Sequence, residues 1–231
     1  MADPADPAVP VSGAIARTRK VTHRQAALIL AERDPVLARL VKEAGLPRFP
    51  APSESNFATL VRSVVYQQLA GAAARAIHGR LIAALGEEVT PEAVLAAQPE
   101  ALRAAGLSAR KVESLRDLSG KVLDGSVVLE ARRLRRVSDE EIVAQLSTVR
   151  GIGKWSAEIF LMFQLRRLDV WPTGDLAIRR GYGLGWKIPT PTPRQLDALG
   201  EPYRPYRTVL AWYCWRAAQL YGASAASAVT A

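Results

Sequence analysis

Apolar residues recur along this chain at helical spacing and nowhere alternate. From Asn56 to Ala70 they fall at Phe57, Leu60, Val61, Val64, Val65 and Leu69, one face of an amphipathic helix. A second run, Trp155, Ile159, Met162, Phe163 and Leu165, keeps the same period. Start and stop residues frame the other helices. Thr22 caps one that reaches Arg33, and Asp34-Pro35 restarts another that ends at Gly45. An alanine-rich helix from Ala72 to Leu85 is stopped by Gly86. Thr90-Pro91-Glu92 opens the next, and Gly106 ends the short one after Pro99. Ser108 opens a helix to Leu123. Ser138, with Glu141 three residues on, is a capping box opening a helix to about Ser147. Thr192-Pro193 starts the penultimate helix and Pro205 the last, which reaches Leu220; the small polar tail after Gly222 reads as frayed. Val127 to Leu129 is too short an extended run to seed a sheet. The pattern predicts an all-α fold.

Length and charge narrow the picture. A chain of 231 residues makes one large domain or two small lobes around a proper core. A net charge of +9 and a pI near 10.1 favour an anionic partner, nucleic acid ahead of an anionic membrane face. No apolar run reaches membrane-spanning length and the N-terminus has no signal-peptide core, so a soluble intracellular protein is expected. Cys214 stands alone, which excludes an internal disulfide framework and a Cys₄ iron–sulfur cluster. Among Trp212, Tyr213 and Trp215 it reads as a small buried hydrophobe. His23 and His78 lie too far apart for metal-ligand spacing. Residues 1–21 carry three prolines and then Arg17, Arg19 and Lys20, a flexible arm with a basic end.

The chemistry concentrates between Leu146 and Asp175. Gly151-Ile152-Gly153 is a tight turn between two helical patterns, a helix–hairpin–helix. Glycines let another backbone approach, and the free amides opening the second helix, at Lys154 to Ser156, suit a phosphate oxygen. Two glycines are also what any helix–helix turn needs, so the turn alone decides nothing. Beyond a Trp-Pro-x-Gly loop comes Asp175, placed to cap a further helix at Leu176-Ala177-Ile178.

With these residues in view, the stretch resembles the helix–hairpin–helix DNA glycosylase superfamily. Its pattern L-x-x-[VI]-x-G-[IV]-G-x-x-[TS]-A, followed by a Gly/Pro-rich loop and an Asp, is filled by Leu146, Val149, Gly151, Ile152, Gly153, Ser156, Ala157 and Asp175. The similarity runs from about Phe49 to Leu220. Arg48-Phe49-Pro50, Tyr66-Gln67-Gln68-Leu69 and Tyr203-Arg204-Pro205-Tyr206-Arg207 resemble landmarks of 3-methyladenine DNA glycosylase II. The family's larger members prepend a mixed α/β domain that this chain is too short to hold.

The resemblance implies two helical lobes, about 53–165 in the middle and 22–52 plus 169–222, with the hairpin and Asp175 at the cleft between them. It implies a monomeric, nucleoid-associated enzyme of base excision repair that binds damaged duplex DNA and releases alkylated purines. Asp175 would be catalytic, and Trp155, Trp215, Ile159 and Phe49 would line the nucleobase pocket. Gln67, Gln68, Leu69, Gly151, Gly153, Lys154 and Ser156 would meet DNA, with Leu69 as the wedge filling the gap left by a flipped base. A monovalent cation, Na or K, would sit on the main-chain carbonyls of Ser147, Val149 and Ile152; no other cofactor is required. Three departures matter. Ile159 replaces a frequent tyrosine, Ala70 a histidine found in some relatives, and Trp155 the Schiff-base lysine of lyase-type relatives, which points to a monofunctional enzyme. A glycosylase for uracil or an etheno base, and a non-catalytic DNA-binding hairpin module, remain open; a carboxylate facing DNA distinguishes the enzyme from the module. Trp171 and Trp212 read as core.

Overall fold

A computed structural model describes residues 21–228. Among them no strand forms, and the chain is helical throughout. The expected caps are in place. Thr22 closes a capping box on α1 (His23–Arg33), and Asp34 accepts from the Val36 and Leu37 amides at the head of α2 (Pro35–Ala44). Ser55 caps α3 (Asn56–Tyr66), which is followed by α4 (Gly71–Ala84), α5 (Pro91–Ala96) and α6 (Pro99–Ala104). Ser108 caps α7 (Ala109–Leu123), and a short α8 (Ala131–Leu134) precedes α9 (Asp139–Ser147) with its Ser138–Glu141 box. Then come α10 (Lys154–Phe163), α11 (Leu176–Trp186), α12 (Pro193–Gly200) and α13 (Arg207–Ala228). The arm with Arg17, Arg19 and Lys20 lies outside the described residues.

Two boundaries differ from expectation. The helix expected to reach Ala70 stops at Tyr66, and Gln67 to Ala70 form a turn with Gln68 in the left-handed region at φ 57°. The last helix does not end at Leu220 with a frayed tail but continues to Ala228. Alanine is the strongest helix former, so an Ala/Ser stretch extends a helix already nucleated by packing.

The stripe predicted on α3 is the core: Leu60, Val61, Val64 and Val65 are buried, packing with Leu115 and Leu118 of α7 and Phe160 and Leu161 of α10 in one continuous cluster. Each such side chain contributes about 1.5–3 kcal/mol by leaving water. Trp171 is buried, its indole donating to the Leu196 carbonyl at 2.9 Å, and Cys214 is fully buried. Trp212 is only half-buried, edge-on to Tyr213 beneath the Arg216 guanidinium. α1, α2, α11 and α13 pack on one another, while α5 and α7, and α9 and α10, pair separately.

The tightest approach is between α11 and α13. A Cβ at Gly181 would stand 1.7 Å from the Cys214 carbonyl oxygen, so only glycine fits there. That approach brings the start of α11 beside Trp215. The Arg204–Arg207 segment is pinned by Asp169, which receives Arg207 Nε at 2.8 Å and Arg204 Nη1 at 2.7 Å.

Candidate active site and nucleic-acid interface

The hairpin joins α9 to α10 through Thr148 to Gly153. Gly151 has φ 79°, and a Cβ there would meet Ser114 Oγ at 2.6 Å, so both conformation and space call for glycine. Gly153 is different. Its φ is −98° and, among the described residues, nothing lies within 4 Å of a would-be Cβ, so none of them demands glycine there. Gly153 is the N-cap of α10 and supplies no side-chain cap, which leaves the first-turn amides open to an outside acceptor. Lys154 stands in the same turn, its side chain 71% exposed and its Nζ 3.8 Å from Glu158. Ser156 is largely buried, and its first-turn amide has no acceptor among the described residues. Among the described residues no donor reaches the Ser147 or Ile152 carbonyls, and the Val149 carbonyl accepts from Ile152 N at 3.1 Å. Lone pairs suited to a cation are therefore free at all three positions.

Asp175 caps α11, Oδ1 accepting from the Ile178 amide at 2.9 Å. Its other oxygen is held by two indoles: Trp155 Nε1 at 2.8 Å and Trp215 Nε1 at 3.4 Å. Three elements thus meet at one carboxylate, with α10 supplying Trp155 and α13 supplying Trp215. Trp155 is 49% exposed although indole is among the most apolar of side chains, so its face is open to an incoming ring.

Behind Trp215 the rings form a row. Phe163 stacks on Trp215 at 6.0 Å between centroids, Phe49 on Phe163 at 5.3 Å, and His23 on Phe49 at 4.0 Å. Phe49 is buried two rings behind Trp215, while Phe163 is the member of the row exposed beside it, at 38%. Sequence reasoning missed Phe163, and the signal was there: Trp155, Ile159 and Phe163 recur at i, i+4 and i+8 on one face of α10. Ile159, half-buried between them, packs against the core. His23 is buried and kept neutral, its pKa pushed down to about 4 by desolvation and by the Arg166 charge.

Glu158 was also missed, because nothing in its local sequence says that a charged helix residue is buried. It is 7% exposed, and its carboxyl is pushed up to about 7 by desolvation, against the pull of Lys154 and with the help of Asp175. Together with Lys154, Asp139, Arg167, Asp169 and Trp171 it lines a cavity of about 590 Å³ that Trp155, Trp215 and Asp175 do not touch.

Leu69 sits on the turn after α3, 37% exposed, with Gln68 exposed beside it. Gln67 is engaged inside the protein: its Nε2 donates to the Gly151 carbonyl at 2.9 Å, tying this turn to the hairpin. Hairpin, turn and carboxylate are thus assembled from α3, α10, α11 and α13.

Comparison with known proteins gives this geometry a family. Residues 61–205 match the HhH-GPD superfamily base excision DNA repair protein family. The chain is 36% identical over 187 residues to DNA-3-methyladenine glycosylase 1 of Schizosaccharomyces pombe, covering 79% of this chain and 82% of that protein. The solved structure of the Schizosaccharomyces pombe 3-methyladenine DNA glycosylase in complex with abasic DNA aligns with a TM-score of 0.73 at 34% identity, over 84% of this chain and 97% of that one. A DNA-3-methyladenine glycosidase from Bacillus halodurans aligns with a TM-score of 0.76 at 33% identity, over 85% and 90% of the two chains. With a hairpin, an uncapped helix start and an indole-held carboxylate inside the matched span, the chain belongs to the HhH-GPD superfamily of base excision DNA repair proteins.

Proposed function

We propose that this protein is a monofunctional DNA glycosylase that releases alkylated purines of the 3-methyladenine type from duplex DNA. The observation that carries the reading is the Asp175 carboxylate between the indoles of Trp155 and Trp215, beside an open helix start. A base inside a duplex is out of reach, and rotating it out costs a few kcal/mol. The α10 amides and Lys154 hold a phosphate, Leu69 fills the vacated stack, and the flipped base lies against Trp155 with Trp215 and Phe163 as further walls. A cationic purine gains about 0.5–2 kcal/mol from each aromatic face. As the glycosidic bond lengthens the sugar becomes oxocarbenium-like, and the Asp175 charge stabilises it and orients the attacking water. A positively charged base departs without a general acid.

Trp155 takes the place where lyase-type relatives of this fold carry their Schiff-base lysine, so hydrolysis leaves an intact abasic site. The carbonyls of Ser147, Val149 and Ile152 would hold a monovalent cation, which would add positive charge beside the bound phosphate. The protein acts as a monomer inside the cell, where its DNA is. A panel of duplexes, each with one defined lesion, tests the reading. Alkylated purines should be released with abasic sites that break only on added alkali, and borohydride should trap nothing. Release confined to uracil or an etheno base would replace the proposed substrate class. A trapped adduct would overturn the hydrolytic mechanism.

A further inference from the structure

The turn that carries Leu69 and the hairpin are both gripped by one helix, α7, which no motif in the sequence singles out. In its first turn Lys111 Nζ donates to the Val65 carbonyl at 2.7 Å and to the Gln67 carbonyl at 2.9 Å. Those carbonyls belong to the last turn and the C-cap of α3, where the helix dipole is negative, and no carboxylate pairs with the ammonium among the described residues. Further along, Asp117 Oδ2 accepts from the Arg150 amide at 2.7 Å and from Lys121 Nζ at 3.0 Å. Lys121 also donates to the Thr148 carbonyl, Glu113 pairs with the Arg150 guanidinium, and Ser114 Oγ occupies the space over Gly151. The third side is closed by Gln67 Nε2 on the Gly151 carbonyl.

We propose that α7 is a brace that fixes the distance between the wedge turn and the hairpin, with Lys111 and Asp117 as its positioning residues. The inference rests on the glycosylase reading, in which Leu69 enters the stack while the hairpin holds the backbone. A wedge can do work against base stacking only if it is held against the clamp; a free turn would yield before the base did. Gln68 at φ 57° fits this, since Lys111 and Gln67 fasten that turn on both sides. Lys111 therefore serves extraction of the base and not bond cleavage.

The test compares one alkylated purine in a fully paired duplex and in a single strand, under single turnover with enzyme in excess. A single strand offers no stack to open, so it needs no wedge. Lys111→Met keeps the stem and removes both hydrogen bonds. Release from the duplex should fall by about tenfold or more, release from the single strand should hold, and Lys111→Arg should restore much of the duplex rate. Asp117→Asn, which weakens the hairpin end of the brace, should give the same selective loss and serves if Lys111→Met does not fold. Equal losses on both substrates, or no loss on either, would overturn the brace. Wild-type protein that releases no base from any substrate would instead overturn the glycosylase reading.

Discussion

The indole of Trp155 donates to Asp175 Oδ2 across 2.8 Å, joining the first turn after the hairpin to the cap of α11. Trp215 reaches the same oxygen from α13 at 3.4 Å. The carboxylate is therefore oriented from two sides before any substrate arrives. Its cap bond to Ile178 uses only Oδ1. Preorganised charge of this kind costs no rearrangement at the moment of reaction.

Asp175→Asn keeps the shape and an acceptor for the Ile178 amide but removes the charge. Base release should drop by a factor of about 10² or more, the scale of a lost preorganised electrostatic group, while duplex binding changes little. Retained release at near wild-type rate would show that the charge plays no part.

Phe163→Leu removes a half-exposed ring beside Trp215. Melting temperature should change little at that exposure, and release of a cationic purine should fall relative to a neutral lesion by about 0.5–2 kcal/mol. The ratio of the two release rates is the readout. An unchanged ratio would remove Phe163 from the pocket.

Lys154→Ala should weaken duplex binding and flatten its salt dependence by about one unit of log–log slope, with lesion preference unchanged. Titrations over a range of salt concentrations check both points. A shifted preference would move Lys154 from phosphate to base.

Glu158 gives a pH signature. Its carboxyl is raised from 4.5 to about 7 by burial, so between those values the folded state holds a proton that the unfolded state has released. Stability therefore falls as pH rises through that window, by roughly 3 kcal/mol once above 7. Glu158→Gln should remove this slope, making the variant more stable than wild type at pH 8 and close to it at pH 4. Denaturant melts at several pH values measure the difference.

Gly181→Ala would drive a Cβ to 1.7 Å from the Cys214 carbonyl, and backbone cannot yield as a side chain can. The cost should exceed the 1–3 kcal/mol of ordinary overpacking, about 3 kcal/mol or more. Any folded fraction should lose base release, because α11 carries Asp175 away from Trp215. A variant that melts like wild type would show that the two helices separate easily.

The sequence by itself determined the local elements. Caps are short-range chemistry, so Thr22, Asp34, Thr90, Ser108, Ser138 and Thr192 mark helix starts wherever the chain goes, and the structure has them. The hairpin and the capping position of Asp175 were legible for the same reason. Tertiary structure decided what depends on distant partners. The helix through Leu69 stops at Tyr66, and Lys111, more than forty residues away, takes the carbonyls at its end. Phe163 meets Trp215 only because the tertiary fold brings the end of α10 to the Trp215 ring of α13, and Phe49 lies behind Phe163. Glu158 becomes a high-pKa acid only because neighbours remove its water. Periodicity records which face of a helix is apolar, but what that face meets is fixed by contacts that local sequence does not encode.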